Sequence, residues 1–281
     1  MMVSEYDDSQ LLLVLQIDHS QVAGLLAAHW GNEAFVRPTP HAAMVLAAQE
    51  HDNGWWEWES KPVTLNAKGY PLDYHDGTLE LLGEQRLSFT KRGVDRVAEI
   101  DTYAGLMVLM HNVGLLNGGY GQFAYLRDSS ADPRVAAYIR IEEEIRVKLR
   151  SELETSTEYS EFATDEQLLV NFKLMEIFDL MGQFLCNHYP LNRTDRRKRP
   201  SLTLNDAPVP VGPGQEDTAL VLDAVDKSRA IVRPYPFDTD PLPISFPARL
   251  VPRRSYGSGE EFLDHFYKAE RTTMNYWLQS S

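Results

Sequence analysis

His51-Asp52-Asn53-Gly54 places an imidazole and a carboxylate on consecutive residues. On a helix, neighbouring side chains diverge by about 100°, so both groups can lean toward one ion held between their directions. Taken alone, the dipeptide is better explained as the polar end of a helix. Asp179 is more demanding. It lies in Asn171–Cys186, where Phe172, Met175, Asp179, Gly182 and Cys186 recur at spacings of three or four. That pattern puts a carboxylate on an apolar helix face, where it must be paired, protonated or bound to a cation. His111 closes the apolar run Leu106–Met110 and by itself reads as a satisfied core histidine. His19, in the first turn of the first helix, by itself reads as a surface residue. Together, four helical segments offer His or Asp toward what could be one interior point.

Other residues near these have a chemical reading and a plainer one. Trp55, Trp56 and Trp58 follow the pair directly, with Glu57 between. Trp55 is a candidate pocket wall and Glu57 a candidate general base. Packing of a loop over the helices is the plainer account, and is preferred for Trp56 and Trp58. Lys68, in Asn66-Ala67-Lys68-Gly69, could reach an anionic substrate. Asn117-Gly118-Gly119-Tyr120-Gly121 reads as a helix stop, since its spacing matches no phosphate loop. Arg193–Arg199 is the one basic cluster and reads as a solvated linker.

The elements that would position these groups are mostly helical up to residue 190. A first helix is expected over Asp18–Trp30, preceded by the apolar Leu11–Leu15 as a short strand or an approach to it. Thr39 and Pro40 mark the start of a second helix that Gly54 ends. Residues 54–98, rich in Trp, Gly, Pro and Asp, are expected as a long loop with one or two short helices. Asp101 caps a helix through Thr102–Leu116, Asp132-Pro133 opens one to about Glu154, and Thr164 with Gln167 opens one to Cys186. After Pro190 the texture turns β-like, over Ser201–Leu204, Ala219–Leu222, Ala230–Val232 and Ile244–Leu250. A final amphipathic, aromatic helix is expected over Glu260–Leu278, and is a candidate oligomer contact.

The chain of 281 residues carries a net charge of −14. Such acidity repels polyphosphate and anionic lipid, so neither nucleic acid nor a membrane is the expected partner. The longest apolar run is too short to span a bilayer, and the first residues are acidic where a signal peptide would be basic. A cytoplasmic location is the expectation. The single cysteine, Cys186, allows no internal disulfide and no thiolate cluster, so a bound metal would need imidazole and carboxylate ligands.

The order His19, His51-Asp52 with Gly54, then a distant helical Asp179 resembles the HD superfamily of metal-dependent phosphohydrolases over roughly residues 10 to 190. The phrases Gln16-Ile17-Asp18-His19-Ser20, His51-Asp52-Asn53-Gly54-Trp55, Met110-His111-Asn112-Val113-Gly114-Leu115 and Tyr235-Pro236-Phe237 further resemble an uncharacterised bacterial family of HD-like proteins carrying a domain-of-unknown-function label. That second likeness covers nearly the whole chain.

The resemblance implies an HD-like helical bundle for the body over 1–190; with the small β-rich region and closing helix read over 191–281, packed on it as one unit, the expected fold is mainly α (α+β). The resemblance also implies His19, His51, Asp52 and Asp179 as metal ligands with His111 a further one. Such a set suits Mn, Fe, Ni, Co or Zn. One ion is expected, because His75 and His111 alone are available to complete a second site. The implied function is hydrolysis of a small phosphorylated molecule or nucleotide by metal-activated water, assisted by Asp52 or Glu57. An HD-type di-iron oxygenase and a non-catalytic ligand-binding scaffold are the alternatives.

Overall fold

The computed structural model describes residues 1–74, 81–118, 128–187 and 204–281, with the side chains of 204–206 excluded. His75, the glycine loop beyond Gly118, Arg193–Arg199 and most of Ser201–Leu204 therefore lie outside the described residues. Two strands come first, β1 (Met2–Glu5) and β2 (Gln10–Val14). Helices α1 (Gln16–His29), α2 (His41–Glu50) and the short α3 (Trp56–Glu59) follow, with a 3-10 turn over Asn53–Trp55 before α3. Next come α4 (Glu84–Ile100), α5 (Thr102–Asn117), α6 (Pro133–Thr155) and α7 (Asp165–Asn187). The chain ends with β3 (Leu204–Val209), β4 (Thr218–Ala224), β5 (Arg229–Arg233), β6 (Leu242–Pro252), α8 (Gly259–Lys268) and β7 (Arg271–Gln279).

The seven strands among the described residues form one sheet in the order β1-β2-β6-β7-β5-β4-β3, antiparallel except for the parallel pair β5–β7. This overturns the expected helical bundle with a small C-terminal β-rich region. The architecture is α+β, and its sheet joins the two ends of the chain: Leu12 of β2 pairs with Leu250 of β6. The apolar run Leu11–Val14 lacks the alternation of a half-buried strand because both of its faces are covered. Leu12 and Val14 pack toward the main core with the helices, whereas Leu11 and Leu13 pack against Phe262 and Phe266 of α8.

The closing helix is also corrected. Helix α8 stops at Lys268, and the remainder of the expected helix is β7. There Met274, Tyr276 and Leu278 are buried at period two, while Trp277 is exposed. That is strand spacing, which the aromatic content of the segment obscured.

Most of the helical expectations agree with the structure to within a few residues. Asp101 accepts a hydrogen bond from the Ala104 amide at 2.8 Å, and Asp132 from that of Arg134 at 2.9 Å, each capping the helix it precedes. Thr39 does not act as a cap: its hydroxyl donates to the Arg37 carbonyl, and α2 begins two residues later without a side-chain cap. Within residues 54–98, expected as a long loop with one or two short helices, the 17-residue α4 begins at Glu84, with Leu87, Thr90, Val94 and Val97 buried at helical spacing. Among the described residues no helix is long and apolar enough to cross a membrane.

Helices α1, α2, α5 and α7 pack against one another, with α1 and α7 also touching the sheet. Two internal anchors set their placement. Trp30, fully buried at the end of α1, meets Phe178 of α7 and Phe237 edge-on at centroid distances of 5.4 and 5.6 Å. Asn171 of α7 donates to the Thr39 carbonyl and to the Tyr103 hydroxyl of α5, both at 2.8 Å.

Candidate metal centre

The HD pair straddles the end of a helix rather than lying within one. His51 is the C-cap of α2, and Asp52 precedes the 3-10 turn with bridge-region backbone angles (φ −104°, ψ 13°). This break in the helix turns both side chains inward. Helix α4 crosses directly over this turn. A Cβ on Gly54 would lie 1.8 Å from the Phe89 carbonyl oxygen, so only glycine fits this crossing. Arg92 of α4 then donates to the Gly54 carbonyl at 2.6 Å.

Five sequence-predicted residues come together between the four helices. His19 from α1, His51, His111 from α5 and Asp179 from α7 are each at most 5% exposed, and the Asp52 side chain is 15% exposed. His19 Nε2 lies 2.7 Å from Asp179 Oδ1. His51 Nε2 lies 3.3 Å from Asp52 Oδ2 and 3.5 Å from Asp179 Oδ1, and His111 Nε2 lies 3.9 Å from Asp179 Oδ2. The His51 ring meets those of His19 and His111 edge-on at 5.2 and 5.1 Å. Two overlapping groups bring their ligand atoms within 4.8 Å of one another: His19, His51 and Asp52, and His51, His111 and Asp179.

The His51 ring is oriented from behind. Its Nδ1 lies 2.8 Å from the Ala48 carbonyl, which can only accept, so Nδ1 carries a proton and Nε2 faces the carboxylates. Although near both, Nε2 is in hydrogen-bond geometry with neither. His19 Nδ1 is likewise buried without a partner. Its ring lies against Gly182, where a Cβ would come within 2.8 Å of His19 Cε1. The glycine on the apolar face of α7 thus makes room for the imidazole one turn from Asp179.

Burial and charge act in opposition here. Burial presses the His51 pKa down, but Asp52 and Asp179 outweigh it and hold it well above the ordinary histidine value. Burial favours the neutral acid at Asp179, yet the hydrogen bond from His19 and the proximity of His51 hold its pKa well below the ordinary carboxylate value. Asp52 is lowered in the same way, chiefly by the charge of His51 against its own burial. His111 moves the other way: burial, which Asp179 only partly offsets, brings it down to about 4, leaving a neutral imidazole at neutral pH.

Gln183 is a supporting residue that sequence reasoning missed. Its Nε2 donates to both Asp179 oxygens at 3.0 and 2.9 Å, and its own Oε1 accepts from the Tyr74 hydroxyl at 2.9 Å. Its position four residues after Asp179 was the available signal, because such pairs share a helix face.

The remaining candidates do not join the cluster. Trp55 is buried against Trp58 and Phe89. Glu57 is about half exposed and pairs with Arg96 and, at 3.1 Å, with Arg92, which holds its pKa below the ordinary value. Lys68 is exposed in the turn between Leu65 and Pro71, its amide donating to Asn66.

No curated protein and no solved structure matches this chain. A family model described as a protein of unknown function, DUF3891, matches residues 1–253. This agrees with the second resemblance drawn from the sequence, to an uncharacterised family carrying a domain-of-unknown-function label. The sequence phrases around His19, His51 and His111 all fall within the matched span, and the chain belongs to the DUF3891 family.

Proposed function

We propose that His19, His51, Asp52, His111 and Asp179 hold one divalent transition metal ion, and that the protein is a hydrolase of small phosphorylated molecules, nucleotides included. The observation that carries this reading is His51. Its Nδ1 proton is committed to Ala48, and its Nε2 faces two carboxylates without a hydrogen bond to either. A ligand histidine held through its other nitrogen is the usual arrangement at metal centres. Three imidazoles and two carboxylates with no sulfur fit Mn, Fe, Ni, Co or Zn. His51 belongs to both overlapping ligand groups, and one nitrogen lone pair serves one ion, which favours a single centre. The residue order also resembles that of HD-superfamily phosphohydrolases.

When bound, such an ion lowers the pKa of water and polarises a phosphoryl oxygen. The chain supplies the rest. Gln183 and His19 fix the Asp179 carboxylate, and Ala48 fixes the tautomer of His51. Asp52, the most accessible of the five, takes the proton from the attacking water at Oδ2. Burial of the other four keeps bulk water from their ligand atoms.

The test is metal content by mass spectrometry of protein purified without chelator, beside His51→Ala and Asp179→Ala. About one equivalent of transition metal, lost in both variants, is expected. A wild-type protein that stays empty after metals are added back removes the reading. For the reaction, phosphate release from a panel of phosphomonoesters and nucleotides is expected from loaded wild type and not from His51→Ala. Equal release from the two proteins, or none from either, sinks the hydrolase assignment.

A further inference from the structure

Four cations project from α4, and three of them have partners. Lys91 pairs with Asp95 at 2.6 Å, Arg92 with Glu57 and the Gly54 carbonyl, and Arg96 with Glu57 and Asn53. Arg86 is the fourth. It forms no ion pair among the described residues, and its Nη1 is buried without a hydrogen bond. Its guanidinium lies over the ring of Trp55, 4.6 Å from the centroid, three residues after Asp52. Burial depresses its pKa, opposed by the charges of Asp52 and Tyr138, the titratable groups that face it.

A guanidinium remains protonated inside proteins, and a charge partly withdrawn from water without a partner is costly. The charge balance of the neighbouring site indicates what the partner is. Ligand imidazoles contribute no charge, and a divalent ion is cancelled by Asp52 and Asp179. Arg86 then leaves the loaded site with one positive charge in excess, located on the Asp52 side. The cation–π contact with Trp55 holds the guanidinium in place before any ligand arrives.

We infer that Arg86 is the oxyanion-binding residue of this centre, its guanidinium gripping two oxygens of the substrate's phosphate group beside Asp52. The inference rests on the metal reading of the five residues, and it gives Trp55 a role as the platform under Arg86. The planar fork of arginine matches a phosphate in a way the point charge of lysine does not.

The experiment is a calorimetric titration of inorganic phosphate into wild type, Arg86→Met and Arg86→Lys. Each protein is metal-loaded or chelator-treated, and metal stoichiometry is measured on the same samples. Phosphate is expected to bind loaded wild type and to bind Arg86→Met about 10- to 100-fold more weakly, with metal content unchanged. Arg86→Lys should fall between them. Equal affinity in wild type and Arg86→Met overturns the inference while leaving the metal reading intact, as does a wild type that binds no phosphate in either form. If no sample holds metal yet phosphate affinity still depends on Arg86, the anion site stands and the metal reading falls. Where Arg86→Met does not fold, Arg86→Lys decides: weaker phosphate binding at an unchanged melting temperature supports the site, and unchanged affinity overturns it.

Discussion

On the proposed metal reading, His51 has two roles that pull in opposite directions. As a buried base between Asp52 and Asp179 it is held protonated, well above the ordinary histidine pKa. As a metal ligand it must give up the Nε2 proton. Metal uptake therefore competes with a proton, and the sign follows: affinity falls as pH falls and rises as pH rises toward the His51 pKa. In that range each pH unit should change the apparent affinity by up to about tenfold, with protons released into a weakly buffered solution on binding. His111 contributes none of this dependence at neutral pH, because at about 4 its pKa leaves it already neutral. Titration of a transition metal at several pH values, with proton release followed by an indicator dye, measures it. An affinity independent of pH, with no proton released, would show that His51 Nε2 is not a ligand.

Among the elements, the crossing of α4 over the HD pair controls the geometry of the site. Gly54 and Gly93 face each other there, a Cβ on Gly93 falling 3.2 Å from the Gly54 amide. At Gly54 the atom in the way is the Phe89 carbonyl, part of the helix backbone, which cannot swing aside as a side chain can. Gly54→Ala is therefore expected to destabilise the protein by about 1–3 kcal/mol and to weaken metal binding by displacing Asp52. A denaturant midpoint equal to that of wild type, with metal retained, would contradict this account. The same crossing explains why α4 was hard to foresee. Gly93 depresses helical propensity in the middle of the helix, yet close packing on Gly54 requires it. By contrast Asp101 and Asp132 were legible as caps, because capping is a local matter of one side chain and the next few amides.

For the whole molecule, β7 is the keystone of the sheet. It lies between β6 and β5, so without it the sheet divides into β1-β2-β6 and β5-β4-β3. The family match ends at residue 253, before α8 and β7. A chain truncated there should nevertheless fail to fold cooperatively. It would expose Leu242, Ile244 and Phe246 along one strand edge and remove Phe262 and Phe266 from Leu11 and Leu13. A cooperative thermal transition close to that of the full chain would refute this. Much of the helical order and the buried Asp179 could be read from the sequence, because helical periodicity and a carboxylate on an apolar face are local signals, whereas His19 and His111 joined the set only through the family resemblance. The sheet could not. Its defining contacts join Leu12 to Leu250 and Arg229 to Trp277, and pairings that distant leave no trace in a local pattern. Nor could Arg86, which lay in a stretch expected to be loop, because only the packing of α4 over Trp55 buries its Nη1 without supplying a partner. The sequence by itself determined which groups could meet, through residue type and spacing. The tertiary structure decided that the pair sits at a helix end under α4, and that the ends of the chain share one sheet, since close approach and long-range strand pairing exist only in three dimensions.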